Sequence, residues 1–321
     1  MKRLITGIIA AAFYSFCNAA SPTSSVVYFT QEITPESLVR IYEALGIKPE
    51  GKVAIKISTG ESAQTGYLRP DFIKPIVDLT GGTIVECNTA YAGNRNSTEK
   101  HLKAIAERGF DKVAKVDIMD AEGSIMIPVC DTTHIKYDLV GSHLADYDFM
   151  INLAHFKGHA SGGFGGVLKN ASIGVASSNG KIYIHSAGAS DSIWSKAPQD
   201  QFLESMAAAA QAVHNYMNTK RDGQTPGVVY INVMNNLSVD CDCNAHPATP
   251  EMRDIGIAAS LDPVALDKAC LDMVFNHNST EGDDSAALIE RINSRHGTHT
   301  VEYAEKIGLG SQSYTLVSLD K

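Results

Sequence analysis

The chain has 321 residues, of which 44% are hydrophobic and 20% charged; 27 Lys and Arg stand against 36 Asp and Glu, for a net charge of −9. An acidic balance with no basic tract argues against nucleic acid or an anionic membrane surface as partner. One Trp and 7% aromatic residues offer no stacking platform for bases, and the length allows one large α/β domain or two smaller ones.

Residues 1–20 read as a secretory signal peptide. Lys2 and Arg3 form a basic start, Leu4 to Phe16 is a short apolar run, and Cys17-Asn18-Ala19-Ala20 supplies small residues before a cleavage point. A lipoprotein site needs a small residue before the cysteine, and Phe16 stands there. No later run reaches the roughly 20 apolar residues of a membrane span. The expectation is an exported protein, periplasmic or extracellular, with its family domain over 26–321.

Thr34-Pro35-Glu36 opens a helix that stops at Gly46. Val53–Ile57 is a strand, Pro70 opens a helix ending at Gly81-Gly82, and Thr83–Cys87 is the next strand. Thr98–Arg108 is helical. Strands follow at Lys115–Met119, Ile125–Val129 and Phe149–Ala154. Phe202, Met206, Ala209, Val213 and Met217 recur at helical spacing within Gln201–Met217. Val228–Val233 and Ile255–Ser260 are strands. Asp262-Pro263 caps the helix Val264–Phe275, and a helix at Val301–Ile307 leads to a strand at Tyr314–Leu319. This alternation predicts an α/β fold with a largely parallel sheet covered on both faces. The segment Lys220–Pro226 offers a boundary between two lobes near residue 220.

The densest chemistry follows the strand ending at Ala154. His155, Lys157, His159 and Lys169 bracket the glycines Gly162, Gly163, Gly165 and Gly166. Ligands in open parallel sheets bind outside the carboxyl ends of strands. Backbone N–H groups of such a loop, with the start of a following helix, suit an anion, and Lys169 would be its counter-charge. Neither the Walker pattern nor G-x-G-x-x-G is present, since Asn170 follows Lys169 and Leu168 stands at the third glycine position.

A second unusual segment, Asp240-Cys241-Asp242-Cys243-Asn244-Ala245-His246, follows the strand ending near Val233. Two sulfurs and an imidazole suit zinc or a softer metal. A disulfide or two free thiols are equally open at this point. If the two strands are neighbours, both segments share one mouth of the sheet. Cys87, Cys130 and Cys270 lie in apolar contexts and read as buried small hydrophobes. No C-x-x-C-x-x-C run supplies a self-contained iron–sulfur site.

His155-Phe156-Lys157-Gly158-His159, Gly162–Gly166 with Lys169-Asn170, Gly180-Lys181 with His185, Asp240–Cys243, Asp254–Ile257, Asp262–Ala265 with Asp267, and Tyr303–Gly310 together resemble the family called domain of unknown function 362. Many of its members carry a ferredoxin-like cluster domain, whose cysteines this chain lacks. More distantly, His159, Lys169 and His185 resemble residues of lactate racemase-type enzymes, which use a nickel-pincer nucleotide. That resemblance implies that Lys169 holds a cofactor, His185 ligates a metal and His159 moves a proton, with Arg69-Pro70 as substrate anchor. Asn94 stands where a second proton-moving histidine belongs.

The resulting expectation is a metal- or cofactor-dependent redox or isomerising enzyme acting on a small anionic substrate. Its catalytic residues would be His159, Lys169 and Arg69. Its metal, whether nickel, zinc or iron, would be held by His155, His185, Cys241 and Cys243. The alternative is a soft-metal-binding or carrier protein without turnover, using Cys241, Cys243, His246 and the loop histidines.

Overall fold

A computed structural model describes residues 24–190, 192, 195, 197–221 and 225–320. The expected signal peptide lies outside them. The strands are β1 (Ser25–Thr30), β2 (Val53–Lys56), β3 (Thr83–Glu86), β4 (Val116–Ile118), β5 (Ser124–Pro128), β6 (Tyr137–Gly141), β7 (Phe149–His155), β8 (Lys157–His159), β9 (Gly163–Gly165), β10 (Val228–Met234), β11 (Gly256–Ser260) and β12 (Tyr314–Ser318). The helices are α1 (Pro35–Ala44), α2 (Pro70–Thr80), α3 (Thr98–Glu107), α4 (Val167–Ala171), α5 (Ser178–His185), α6 (Gln199–Thr219), α7 (Pro263–Phe275), α8 (Ala286–Ser294) and α9 (His299–Lys306).

Eight strands form one sheet in the order β12-β1-β11-β10-β7-β2-β3-β4. Only β11 runs against its neighbours, β1 and β10; the other pairings are parallel. The fold is therefore α/β with a mostly parallel sheet, as the alternating pattern predicts. Period-two alternation sends side chains to two cores. Phe149, Ile151 and Leu153 of β7 join Leu38, Ile41, Ile73 and Ile76 of α1 and α2 on one face. Met150 and Ala154 join Leu203, Met206, Ala210 and Val213 of α6 and Leu266 of α7 on the other.

The expected helix ends form through their side chains. Thr34 accepts from Ser37 N–H, Asp262 accepts from Val264 and Ala265 N–H, and Gly81 closes α2 at φ +63°. The lobe boundary near residue 220 is corrected. Strands β7 and β10 pair directly across it, from Val228 opposite Met150 to Val233 opposite His155. A sheet bonded across the boundary cannot divide there.

From β2 the chain moves outward through β3 to β4, then returns to lay β7 on the other side of β2 and continues to β10. The strand order thus reverses between β2 and β7, which opens a crevice at their carboxyl ends. Lys56 ends β2 and His155 ends β7, so both stand at that crevice.

Candidate functional site

The crevice contains a cavity of about 460 Å³. Its wall includes Lys56, Glu86, Arg95, His155, Lys157, His159, Gly165, Gly166, Lys169, Lys181, His185, Cys241, Asp242 and Cys243. The juxtaposition expected from adjacent strands is realised, because β10 lies beside β7 and delivers the 240–243 segment to the same opening.

Cations outnumber carboxylates in this wall. Arg95 is buried and pairs with Glu61 at 3.1 Å and Glu86 at 3.4 Å. Lys157 pairs with Asp242 at 3.1 Å and also donates to the His155 carbonyl. Lys56 donates to the Ile57 carbonyl and to Asn170 Oδ1, and Lys181 to the Ala176 carbonyl, so both meet neutral acceptors. The Lys169 amino group has no hydrogen-bond partner among the described residues, and its side chain stands in the cavity wall. Burial, then repulsion from Lys157 and Lys56, pushes its pKa down to about 7. Burial pushes Lys56 down to about 8 against the pull of Glu86.

The histidines differ by their partners. His159 Nδ1 accepts from Ser161 N–H at 3.1 Å and Gly162 N–H at 2.9 Å. Backbone N–H groups can only donate, so Nδ1 is the unprotonated nitrogen and Nε2 carries the proton. Burial and the nearby Lys169 hold its pKa well below the usual range. His159 is thus a neutral Nε2–H donor, 3.9 Å from Cys243 Sγ. His185 directs Nδ1 at the Lys181 carbonyl at 2.7 Å and stacks on Phe202. Its Nδ1 therefore donates to that carbonyl. His155 faces oxygen on both sides, with Nδ1 3.1 Å from Asp242 and Nε2 2.6 Å from the Asn235 carbonyl.

Several expected roles are corrected. His155 has both nitrogens engaged and offers none to a metal. Cys241 and Cys243 are joined as a disulfide, so in this state they are not thiolate ligands. His159, Cys241 and Cys243 each bring one ligand atom within 4.8 Å of the others, but the His159 atom facing the sulfurs is protonated. His246 is exposed and outside the cavity wall. Arg69 is exposed, donates to the Thr65 carbonyl and packs over the Tyr67 ring at 4.0 Å, away from the cavity. The arginine of the site is Arg95. Cys130 is half-buried and accepts from Asn215 Nδ2–H at 3.2 Å, whereas Cys87 and Cys270 are buried and free.

The anion cradle expected of the glycines does not form. The helix behind them, α4, has five residues, and its first N–H groups, Val167 and Leu168, donate to the carboxylate of Asp267 at 3.0 Å each. Gly163 and Gly165 lie in β9, paired with β8 as a hairpin. A side chain at Gly158 would meet the Val239 carbonyl oxygen at 2.3 Å, and Gly163, at φ +80°, abuts Gly297. These glycines admit protein backbone rather than a ligand. Gly165 and Gly166 do reach the cavity wall; Gly162 and Gly163 do not.

Lys56, Lys181 and Arg95 were not singled out as site residues from sequence. Lys56 had a signal: a lysine inside the apolar strand Val53–Ile57 has to find a polar partner at the strand's end. Arg95 had none, because its partners Glu61 and Glu86 lie on separate segments.

Residues 53–272 match the family described as domain of unknown function (DUF362). The chain belongs to that family. The matched span contains every cavity-wall residue except Arg295, so the site described is built almost wholly from the family's own segment. No curated protein matches the chain. Among solved structures, the lactate racemase apoprotein from Thermoanaerobacterium thermosaccharolyticum aligns over 91% of this chain and 82% of its own, with 11% identity and a TM-score of 0.41.

Proposed function

We propose that this member of the family is an exported enzyme that binds a small anionic molecule in the lysine-lined cavity and carries out a redox or isomerising step on it. One observation carries the reading: Lys169 has no acceptor among the described residues, in a wall it shares with Lys56, Lys157, Lys181 and Arg95. An ammonium without a counter-ion in a wall so rich in cations is costly and either loses its proton or recruits an anion. Asp242 and Glu86 are committed to Lys157 and Arg95, so the missing negative charge comes from the ligand. His159 donates a hydrogen bond or a proton from Nε2, and His185 stands in the same wall.

A nucleotide cofactor carrying nickel, implied by the resemblance stated above, fits two of its three residues. Lys169 offers an amine in the cavity wall, and His185 stands in the same wall. When bound, such a group would supply a metal-activated electrophilic centre. His159 does not fit as a base, because its Nδ1 lone pair is taken by two N–H groups. Asn94 is held beside Glu61 and supplies no second base.

Titration calorimetry with pyrophosphate and with citrate tests the anion site. Lys169→Gln should weaken binding at least about tenfold; unchanged affinity would overturn the reading. The intact mass of protein recovered from the periplasm tests export, with loss of residues 1–20 expected. The soft-metal reading stands second, on the closeness of His159, Cys241 and Cys243. Elemental analysis of the native protein showing stoichiometric metal, together with no anion binding, would place it first.

A further inference from the structure

We infer that the Cys241–Cys243 disulfide is a redox couple that exchanges with a small anionic thiol held in the lysine-lined cavity. The choice of substrate rests on the anion-binding reading above. The chemistry rests on the surroundings of the two sulfurs.

Both cysteines stand in the cavity wall, Cys241 buried and Cys243 half-buried. Cys243 is therefore the sulfur that a thiolate in the cavity meets first. The bridge spans one intervening residue, and in the chain-entropy account a bridge that closes so short a loop restrains little of the unfolded chain. Other contacts hold the segment. Asp242 is fixed by His155 and Lys157, Arg291 donates to the Val239 carbonyl, and Ser62 donates to the Ala245 carbonyl. Opening the bridge thus leaves the segment anchored.

Each sulfur also has a donor ready for the charge it acquires. The Cys243 N–H points at Cys241 Sγ at 3.3 Å. The protonated Nε2 of His159 lies 3.9 Å from Cys243 Sγ. Thiolates are stabilised by nearby cations and hydrogen-bond donors, which makes them better leaving groups. The surplus of lysines in the same wall supplies the cations.

The exchange balances without a further reagent. A substrate thiolate attacks Cys243 Sγ, forming a mixed disulfide and breaking the Cys241–Cys243 bond. The electron pair leaves on Cys241, which accepts from the Cys243 N–H. A second substrate thiolate attacks the substrate sulfur of the mixed disulfide. It forms the substrate disulfide and releases Cys243 as a thiolate facing His159. Two thiols are oxidised to one disulfide, the protein disulfide is reduced by two electrons, and the two protons lost by the substrate thiols are taken up by Cys241 and Cys243. The reverse sequence reduces a small anionic disulfide.

The test uses the full chain with three thiols of different charge: mercaptosuccinate, 2-mercaptoethanol and cysteamine. Bridge opening is read by alkylation and mass spectrometry of the peptide holding Cys241 and Cys243, with rates compared per thiolate present. Mercaptosuccinate should open the bridge at least about tenfold faster than cysteamine, as expected for a cationic site acting on oppositely charged reactants. Given the symmetrical disulfide of mercaptosuccinate, Cys241→Ser should retain one mercaptosuccinyl group on Cys243 as a mixed disulfide and release one mercaptosuccinate thiol, because no second cysteine is there to displace it. A bridge that stays closed to all three thiols, or that opens to cysteamine as fast as to mercaptosuccinate, overturns the proposal. Citrate binding to the Cys241→Ser/Cys243→Ser variant, with its melting curve as a check of folding, separates the causes. Retained binding with an inert bridge removes the redox couple alone, whereas lost binding in a folded variant and in the wild type removes the anion site beneath it.

Discussion

Asp267 occupies the space that a side chain at Gly166 would need: a Cβ there would lie 2.2 Å from Asp267 Oδ1. The same carboxylate accepts from Val167, Leu168 and Asn232. It replaces an external anion at the start of α4 and pins the glycine segment to α7. Gly166→Ala should therefore cost about 3 kcal/mol, the upper range for overpacking. Asp267→Ala should cost a similar amount by leaving buried donors unpaired, each at about 1–3 kcal/mol. In the Asp267→Ala background, alanine at 166 should cost much less, because the clash is gone. Urea melts of the two single variants and the double variant measure this coupling, and simple additivity would contradict it.

Anion affinity should fall as pH rises. Lys169 and Lys56 titrate at about 7 and about 8 in the apo protein, and only their ammonium forms attract an anion. Stability should move the other way. The folded pKa of Lys169 lies below its unfolded value of 10.5, so the unfolded chain binds more protons between about pH 7 and 10.5 and this group adds stability as pH rises through that window. Calorimetric affinity and apo-protein melts over this range should show opposite slopes; parallel slopes would count against the Lys169 assignment.

His159 should remain neutral in the Nε2–H form from about pH 5 to 8, the range in which an ordinary histidine changes charge. Protonating Nδ1 would set its N–H against two backbone donors. Nitrogen-15 NMR of the imidazole reads this directly. A titration near the ordinary histidine value of 6.5, or an Nδ1–H signal, would refute it.

Arg95→Leu should be strongly destabilising, by about 3–5 kcal/mol, because Glu61 and Glu86 would lose their buried partner. Arg95 is the main attraction holding the Glu86 pKa down at about 2. In the wild type, that depressed value contributes stability above the unfolded carboxylate pKa, and the contribution is lost as pH falls toward 2. Without Arg95 the carboxylate should protonate more readily, so the deficit of the variant should shrink in acid. Thermal melts at neutral and acidic pH test this, and a deficit independent of pH would argue for lost packing alone.

The sequence by itself determined the local elements and the place of the site. Periodicity, Thr34 and Asp262 at helix starts and Gly81 at a helix end depend on neighbours a few residues away, so they are legible in one dimension. So was the pairing of β7 with β10 as a hypothesis, since both carried unusual segments at their carboxyl ends. Only the tertiary structure decided what each polar residue does there. The partners that assign the roles are far apart in the chain: Asp242 faces His155 from 87 residues away, and Asp267 reaches Val167 across 100. Arg69 and Arg95 look alike in sequence, yet one is exposed and packs over the Tyr67 ring, and the other is buried between two carboxylates. A charge's role depends on its burial and its partners, and both are properties of packing.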